Sequence, residues 1–249
     1  MADKRLDNIV IILSGTKHPG NIGSVARAMH NMGLKHLRLS GPRCALNAES
    51  DRLARSGAGI LQTARRFQSI DTATRGIHLL VGTTGKTGGN RAQCYTPRAL
   101  APRILAYAGR QKVAILFGPE DTGLVDEELL KCQMLVRIPT DPDARSINLA
   151  QAVMIVAYEL HLAHLEHEPA RVPKLAPVGQ VEAMYDQLEK ALLAIGFLQA
   201  QNAQHMMFAL RRMLGRAGLV AQDVGVLRGI ARQINWYSEV RDHGSGIRG

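Results

Sequence analysis

Short apolar runs of strand length alternate with helical patterns over the first two thirds of the chain, and this alternation most constrains the fold. Strands are predicted at Asn8–Leu13, His36–Ser40, Arg66–Ile70, His78–Gly82, Lys112–Phe117 and Met134–Ile138. Helices are predicted between and after them at Asn21–Met32, Asp51–Gly59, Pro97–Ala108, Asp126–Lys131 and Ile147–Leu165. Because uniformly apolar strands separated by helices are typical of buried parallel sheets, the sequence predicts an α/β fold, a mostly parallel sheet with helices on both faces.

The composition changes after residue 165. Residues 166–178 contain three prolines and are expected to be an exposed linker. Beyond it, helices alone are predicted, at Val181–Ile195, Ala203–Ala217 and Gln222–Trp236. The expected organisation is a domain over residues 1–165 and a helical C-terminal extension over 179–249. So small a helical unit is a poor stand-alone fold, so it should pack on the first domain or on another subunit.

The composition gives expectations about membrane association and the cellular compartment. No apolar run of the 249-residue chain approaches the roughly 18–20 residues that span a bilayer, so no membrane association is expected. The opening stretch runs from charged residues through a short apolar run into a turn, which favours a strand over a signal peptide. Cys44, Cys94 and Cys132 form no CxxC motif, so neither a disulfide framework nor a zinc site is predicted, and a reducing cytoplasm is expected.

The basic charge is concentrated in the first domain. The whole chain carries a formal charge of +10, and residues 1–165 hold 21 Lys and Arg against 13 Asp and Glu, a balance of +8. Such an excess favours a polyanionic partner such as RNA, although many basic proteins bind none. Aromatic residues make up only 4% of the chain, which favours recognition of shape and phosphate over base stacking.

Three loops rich in small residues follow predicted strands, at the carboxyl edge where open α/β sheets bind ligands. They are Thr83–Gly85 with its neighbours, Gly118–Leu124 and Ile138–Asn148. Glycine and proline also make ordinary turns, so each loop alone has a structural interpretation.

Other chemistries are disfavoured. The Gly-Lys-Thr stretch near residue 86 lacks the phosphate-loop glycine five positions earlier, where Leu80 stands, and no dinucleotide fingerprint follows the first strand. His161, His164 and His167 recur every third residue, which makes a metal site conceivable. A polar helix end explains the three histidines better, and no metal is expected.

Three motifs in this order and spacing resemble those of one family of RNA-modifying enzymes. They are NIGSVAR at residues 21–27, FGPEDTGL at 117–124 and SINLAQA at 146–152. Together they resemble the SpoU/TrmH group of SPOUT RNA 2′-O-methyltransferases over about residues 6–165. The helical extension is similar to that of the TrmJ-type tRNA methyltransferases, although Pro119 stands where that type often has a basic residue.

The resemblance implies an S-adenosylmethionine-dependent enzyme with a C-terminal trefoil knot in its α/β domain, working as a homodimer. The expected reaction is methyl transfer to a ribose 2′-hydroxyl of RNA, with tRNA position 32 in the anticodon loop as the first expected target. Ribosomal RNA, another tRNA position and a non-catalytic RNA-binding role are the alternatives. The family's cofactor loops correspond here to Thr83, Thr84, Gly85, Gly118, Ile138, Arg145, Ser146 and Ile147.

The resemblance also implies five catalytic candidates: Asn21, Arg27, Glu120, Ser146 and Asn148. A guanidinium is not deprotonated in proteins, so Arg27 is expected to grip a phosphate and favour ionisation of the hydroxyl electrostatically, with a surface ion pair as the alternative. Asn21 is expected to position the substrate or cap its helix, and Glu120 to fix its own loop or Arg27. Ser146 is expected to hydrogen-bond the substrate and Asn148 to brace the knot loops, with structural bracing alone as the alternative.

Overall fold

The computed structural model describes residues 5–85, 94–141, 143, 146–166 and 173–244, with side chains through residue 240. The chain divides into two compact units, Met1–Lys174 and Leu175–Gly249. This division falls within residues 166–178, where the composition predicts a linker.

One sheet forms the centre of the first unit. Its strands in the described residues are β1 (Ile9–Ser14), β2 (His36–Ser40), β3 (Arg65–Phe67), β4 (Leu79–Thr83), β5 (Cys94–Tyr95), β6 (Val113–Phe117) and β7 (Met134–Val136). Neighbouring strands are all parallel, in the order β3-β2-β1-β6-β4-β7-β5. Every residue of β1 and β6 is buried, so both faces of the sheet's centre are covered. The predicted parallel α/β fold is confirmed, and the trefoil knot stays a prediction.

Helices connect these strands. They are α1 (Pro19–Asn31), α2 (Ala48–Ala54), α3 (Ala58–Thr63), α4 (Ile70–Ala73), α5 (Pro97–Ala108), α6 (Asp126–Leu130) and α7 (Leu149–Glu166). Helix α1 starts at Pro19, whose fixed φ suits a first helical position, and buries Ile22, Val25 and Met29. The chain then turns at Gly33, whose φ of +76° an L side chain rarely adopts.

The strand order creates a crevice between β1 and β6. From β1 the sheet continues outward through β2 and β3, whereas β4, β7 and β5 lie on the other side of β6. Connections leaving two such neighbours at their carboxyl ends diverge, and ligands of open α/β sheets bind at this point. The loops that carry the three motifs therefore meet at the expected edge.

Two elements differ from the predicted ones for local reasons. Strand β3 ends at Phe67 because the Ser69 hydroxyl accepts a hydrogen bond from the Thr72 N–H and begins α4. The helix predicted at Asp51–Gly59 is two helices, separated at Arg55, whose φ is +45°. Arg55 begins a short 3₁₀ turn that ends at Gly57.

The second unit contains three described helices: α8 (Val178–Ala194), α9 (Ala203–Gly215) and α10 (Ala221–Gly244). Their core includes Met184, Tyr185 and Met207. The Arg211 guanidinium lies 4.3 Å from the centre of the Tyr185 ring and donates to both Glu182 carboxylate oxygens at 2.8 and 2.9 Å. Burial raises the pKa of Tyr185 to about 12. Across the described residues of both units, no helix is long and apolar enough to cross a membrane.

Candidate active site

A cavity of about 260 Å³ opens at the carboxyl edge of β4, β6 and β7. Its walls come from three stretches far apart in sequence: Thr83–Gly85, Phe117–Gly123 and single residues between Val136 and Ala152. Apolar side chains such as Phe117, Ile138 and Leu149 stand beside backbone and hydroxyl groups, a mixture that suits a ligand with a flat apolar part and a polar tail.

The structure brings nearly all the predicted cofactor residues to this one cavity. Those that line it are Thr83, Thr84, Gly85, Gly118, Ile138, Ser146 and Ile147. Arg145 lies outside the described residues. Asp121, Thr122 and Thr140 also line the cavity. They belong to the predicted ligand-binding loops but were not among the individual residues expected to bind the cofactor.

The motif at residues 117–124 folds back on itself at Gly118. A Cβ on Gly118 would lie 2.3 Å from the backbone carbon of Gly123 and 2.3 Å from the nitrogen of Leu124. The Gly123 N–H donates to the Pro119 carbonyl at 2.9 Å, and Gly123 has a φ of +65°. The tight turn therefore needs glycine at both positions and presents its backbone to the cavity.

Hydrogen bonds join the three motifs in one relay. The Asn148 Nδ2 donates to Asn21 Oδ1 at 3.1 Å, and the Asn21 Nδ2 donates to Glu120 Oε1 at 2.8 Å. The Asn148 Oδ1 accepts from the Ala150 N–H at 2.9 Å and thereby caps α7. These contacts fix the orientation of the Asn21 amide, since the carboxylate can only accept and the Asn148 amide group donates.

The Glu120 carboxylate accepts three hydrogen bonds. Besides Asn21, its carboxylate accepts from the backbone N–H of Lys17 at 3.2 Å and of His18 at 3.4 Å. Burial raises the pKa of Glu120, but the bonds from Asn21 and from backbone N–H groups outweigh it, so the net pKa lies below its usual value. Glu120 therefore stays ionised and ties the cavity loop to the turn between β1 and α1.

The same turn carries a second link that sequence reasoning missed. The Lys17 Nζ lies 2.6 Å from Asp121 Oδ2, and this bond lowers the pKa of Asp121. Sequence spacing gives no signal for the pair, because 104 positions separate the two residues. Behind the loop, Glu128 accepts from the Ser14 hydroxyl at 2.8 Å and the Val125 N–H at 3.0 Å.

The cavity lining has a negative charge. Glu120 and Asp121 face it, and its lining, within the part of the chain that the structure describes, includes no Lys, Arg or His. A small ligand with positive charge is therefore favoured over an anion such as a nucleoside triphosphate. These carboxylates fit the positively charged sulfonium and amino groups of S-adenosylmethionine.

Arg27 lies away from the cavity lining. It is exposed on α1, about 9 Å further along the helix axis than Asn21 at 1.5 Å per residue. Its guanidinium has no hydrogen bond or ion pair to any residue that the structure describes. Of the two roles expected for Glu120, the structure favours fixing its own loop, since its carboxylate bonds to Asn21 and to the turn at Lys17 and not to Arg27. The capping role considered for Asn21 is wrong, since α1 begins at Pro19, with His18 as its cap residue.

The histidines of α7 provide no metal site in the described residues. His167 lies outside them, and within them no three His, Cys, Asp or Glu side chains come together as metal ligands. The absence of a metal stays a prediction.

Comparison with known proteins identifies the family. The family model described as SpoU rRNA methylase matches residues 8–158, more than half of the chain. A second model, for the C-terminal domain of the tRNA methyltransferase TrmJ, matches residues 179–244. The chain therefore belongs to the SpoU methylase family.

Relatives match along nearly the full length. A tRNA (cytidine/uridine-2′-O-)-methyltransferase TrmJ from Pectobacterium atrosepticum is 38% identical over 237 residues, covering 92% of this chain and 97% of the relative. A tRNA (cytidine/uridine/adenosine-2′-O-)-methyltransferase TrmJ from Pseudomonas aeruginosa is 36% identical over 238 residues, covering 90% and 93%. The crystal structure of TrmJ from Z. mobilis ZM4 is similar with a TM-score of 0.79 and 31% identity, covering 91% of this chain and 98% of that one.

Proposed function

We propose that the protein transfers the methyl group of S-adenosylmethionine to a ribose 2′-hydroxyl of tRNA. The observation that carries the proposal is the relay Asn148–Asn21–Glu120, which gathers three distant motifs beside one acidic, glycine-lined cavity. The naming of the relatives as tRNA 2′-O-methyltransferases supports the reaction and the substrate.

When bound, S-adenosylmethionine would supply an activated methyl group: a C–O bond to the 2′-oxygen would replace the C–S bond, the neutral thioether would keep the electron pair, and the hydroxyl proton would pass to water. The loops at Thr83–Gly85 and Gly118 would hold this donor through backbone groups, and apolar Ile138 and Leu149 would pack on its flat base. Glu120 and Asp121 would complement its positive charge. Such positioning reduces the barrier because the two reacting groups are held in line.

Asn21, Asn148 and Glu120 would position the acceptor side. Because the relay fixes the Asn21 amide, the geometry of the turn before α1 is set before RNA arrives. Ser146 lines the cavity and would hydrogen-bond the target nucleotide. A site organised in advance spends little free energy on reorganisation during the reaction.

Arg27 would bind an RNA phosphate next to the target ribose. Its exposure, and the lack of a partner for it among the described residues, leave its guanidinium available for a bidentate contact. A positive charge held there also favours the developing negative charge on the attacking oxygen.

A homodimer is proposed on the basis of α7. This helix buries Val153, Val156 and Leu160 on one side yet exposes Ile155 and Tyr158 on another, at 37% and 47% of their surface. A helix that is apolar around its circumference is normally buried all round. A second copy of the same helix would cover the exposed face. Replacement of Tyr158 by Glu should then raise the dissociation constant of self-association in sedimentation equilibrium; an unchanged dissociation constant would contradict this assignment.

The modified nucleotide and the cellular compartment are two further proposals. We propose position 32 in the anticodon loop as the modified nucleotide. Cys44, Cys94 and Cys132 form no disulfide in the described residues, which supports a reducing cytoplasm.

Labelled methyl transfer tests the function. The protein is incubated with labelled S-adenosylmethionine and either total tRNA or ribosomal RNA, and the products are digested to nucleosides and mapped. We expect label in tRNA as 2′-O-methyl nucleosides. Label confined to ribosomal RNA would overturn the substrate, and no label in either RNA would overturn the reaction.

A further inference from the structure

Helix α10 of the second unit has two apolar faces. One face packs into that unit through Val224 and Ala231, which are 3% and 1% exposed. The opposite face carries Val226, Ile230 and Tyr237, which are 58%, 48% and 62% exposed. Since a surface helix normally presents polar residues to water, the second apolar face indicates a contact with another surface.

The exposed residues follow helical spacing. Val226, Ile230, Tyr237 and Val240 are separated by four, seven and three positions, so they form one stripe along the helix. Gln233 lies at the middle of this stripe and is exposed. The stripe therefore consists of two apolar pairs placed on either side of a polar centre.

A groove of about 710 Å³ adjoins the stripe. It runs between the last turn of α8 with the residues that follow, Ala194–Gly196, and the second half of α10, at Gln233, Ile234, Tyr237 and Ser238. Phe197, directly after this turn, is 55% exposed. The surface thus has both a groove and protruding apolar side chains, as self-complementary pairing requires.

The chemistry of this surface favours protein over RNA. Neither the groove lining nor the stripe includes a charged residue, whereas an RNA surface needs Lys and Arg for phosphate contacts. Apolar and aromatic residues without charge are typical of the centre of a protein interface.

The exposed area suits a dimer. Six apolar side chains of the stripe and of the turn after α8 are about half exposed: Ile195, Phe197, Val226, Ile230, Tyr237 and Val240. At about 100 Å² each they offer on the order of 600 Å², most of the roughly 800 Å² that each partner contributes to a standard stable interface.

We propose that this surface binds the same surface of a second copy, with the two α10 helices antiparallel and the two-fold axis near Gln233. Val226 and Val240 lie seven positions to either side of Gln233, and Ile230 and Tyr237 lie three and four positions away. Antiparallel pairing therefore sets Val226 opposite Val240 and Ile230 opposite Tyr237. This contact is separate from the α7 face and does not depend on methyl transfer.

Cysteine cross-linking tests the pairing in the full chain. A residue on a two-fold axis meets its own copy, so Gln233→Cys should form a disulfide-linked dimer under mild oxidation. Val226→Cys is the matched control: alone it should stay uncross-linked, but it should cross-link when mixed with Val240→Cys. The unaltered chain, with its three cysteines, gives the baseline. Absence of the Gln233→Cys dimer, or equal cross-linking by Val226→Cys alone, would overturn the proposal.

Self-association gives a second readout. In a chain that also carries Tyr158→Glu, Ile230→Glu should raise the dimer dissociation constant at least tenfold by sedimentation equilibrium. Arg232→Glu, which adds the same residue on another exposed side of α10, should change it less than threefold. A dissociation constant unaffected by Ile230→Glu would overturn the proposal. If that variant instead weakened tRNA binding, the surface would be assigned to RNA. If it instead lowered the melting temperature, the surface would be assigned to a contact with another part of the same chain.

Discussion

Replacement of Asn21 by Ala should show whether the relay contributes to catalysis, apart from any effect on the stability of the fold. The change removes the 2.8 Å bond to Glu120 and the 3.1 Å bond from Asn148, and it leaves Glu120 Oε1 only the 3.4 Å bond from the His18 N–H. A hydrogen bond to a charged group contributes about 1.5–3 kcal/mol, and partial exposure of Glu120 puts the loss nearer about 1–2 kcal/mol. If the relay organises the transition state, kcat/KM should fall roughly 5- to 30-fold.

The matched control is Asn47→Ala. Asn47 is also an asparagine that accepts backbone N–H bonds, from Glu49 and Ser50 at the start of α2, away from the cavity. Loss of this cap should cost about 1 kcal/mol of stability with kcat/KM unchanged. Steady-state methyl transfer and thermal unfolding of both variants give the comparison. A kcat/KM of Asn21→Ala within twofold of the original would show that these hydrogen bonds do not contribute to catalysis.

The same variant has a pH signature. Because the folded-state pKa of Glu120 lies below its usual value of 4.5, its ionisation stabilises the protein above that value, and this stabilisation is lost as pH falls through the lowered pKa. Without Asn21 the effect of burial remains and the pKa of Glu120 rises. Melting temperatures should therefore fall less between about pH 6 and 3 in Asn21→Ala than in the original protein, because the gap between the unfolded and folded pKa values of Glu120 is smaller. Identical profiles would contradict this assignment.

Three further substitutions test Arg27, the turn at Gly118 and the core of the second unit. Arg27→Ala should retain S-adenosylmethionine affinity by calorimetry but lose more than about 100-fold in methyl transfer, whereas exposed Arg52→Ala should lose little; equal effects would remove Arg27 from the mechanism. Gly118→Ala should weaken S-adenosylmethionine binding at least about tenfold because its Cβ would lie 2.3 Å from the Leu124 nitrogen, while Gly59→Ala, with open space around it, serves as control. Undiminished affinity would show that the cavity loop is assigned wrongly. Arg211→Met should lower the stability of the second unit by about 1–2 kcal/mol and leave cofactor binding intact, because it removes the contacts to Tyr185 and Glu182. An unaltered melting curve would contradict that role.

Much of the sheet could be predicted because its central strands are uniformly apolar. The structure confirms β2 at the predicted residues His36–Ser40 and α5 at Pro97–Ala108, and it shifts β1 by one position. Strand β5 was not predicted because its two residues, Cys94 and Tyr95, are too few to show periodicity. They form a strand by pairing with β7, which is distant in sequence.

The residues of the candidate site could be predicted from the sequence, but the contacts between them could not. The motifs identified Asn21, Glu120 and Asn148, yet 99 positions separate the first two and 127 separate Asn21 from Asn148. Only the crossing of the chain at the β1–β6 crevice joins them. Sequence spacing likewise gives no sign of the Lys17–Asp121 pair, because the two loops meet only in the folded sheet. The second apolar face of α10 is visible in the sequence but becomes informative once the first face is known to be buried.

The cavity and the relay are proposed to direct a methyl group to a ribose 2′-oxygen of tRNA. Two synthetic tRNAs that differ only at position 32, one with ribose and one with 2′-deoxyribose, test this proposal most directly with labelled S-adenosylmethionine. We expect about one methyl group per molecule in the ribose tRNA and none in the deoxy tRNA. Equal labelling of both would contradict it, since the methyl group would then go elsewhere on the RNA.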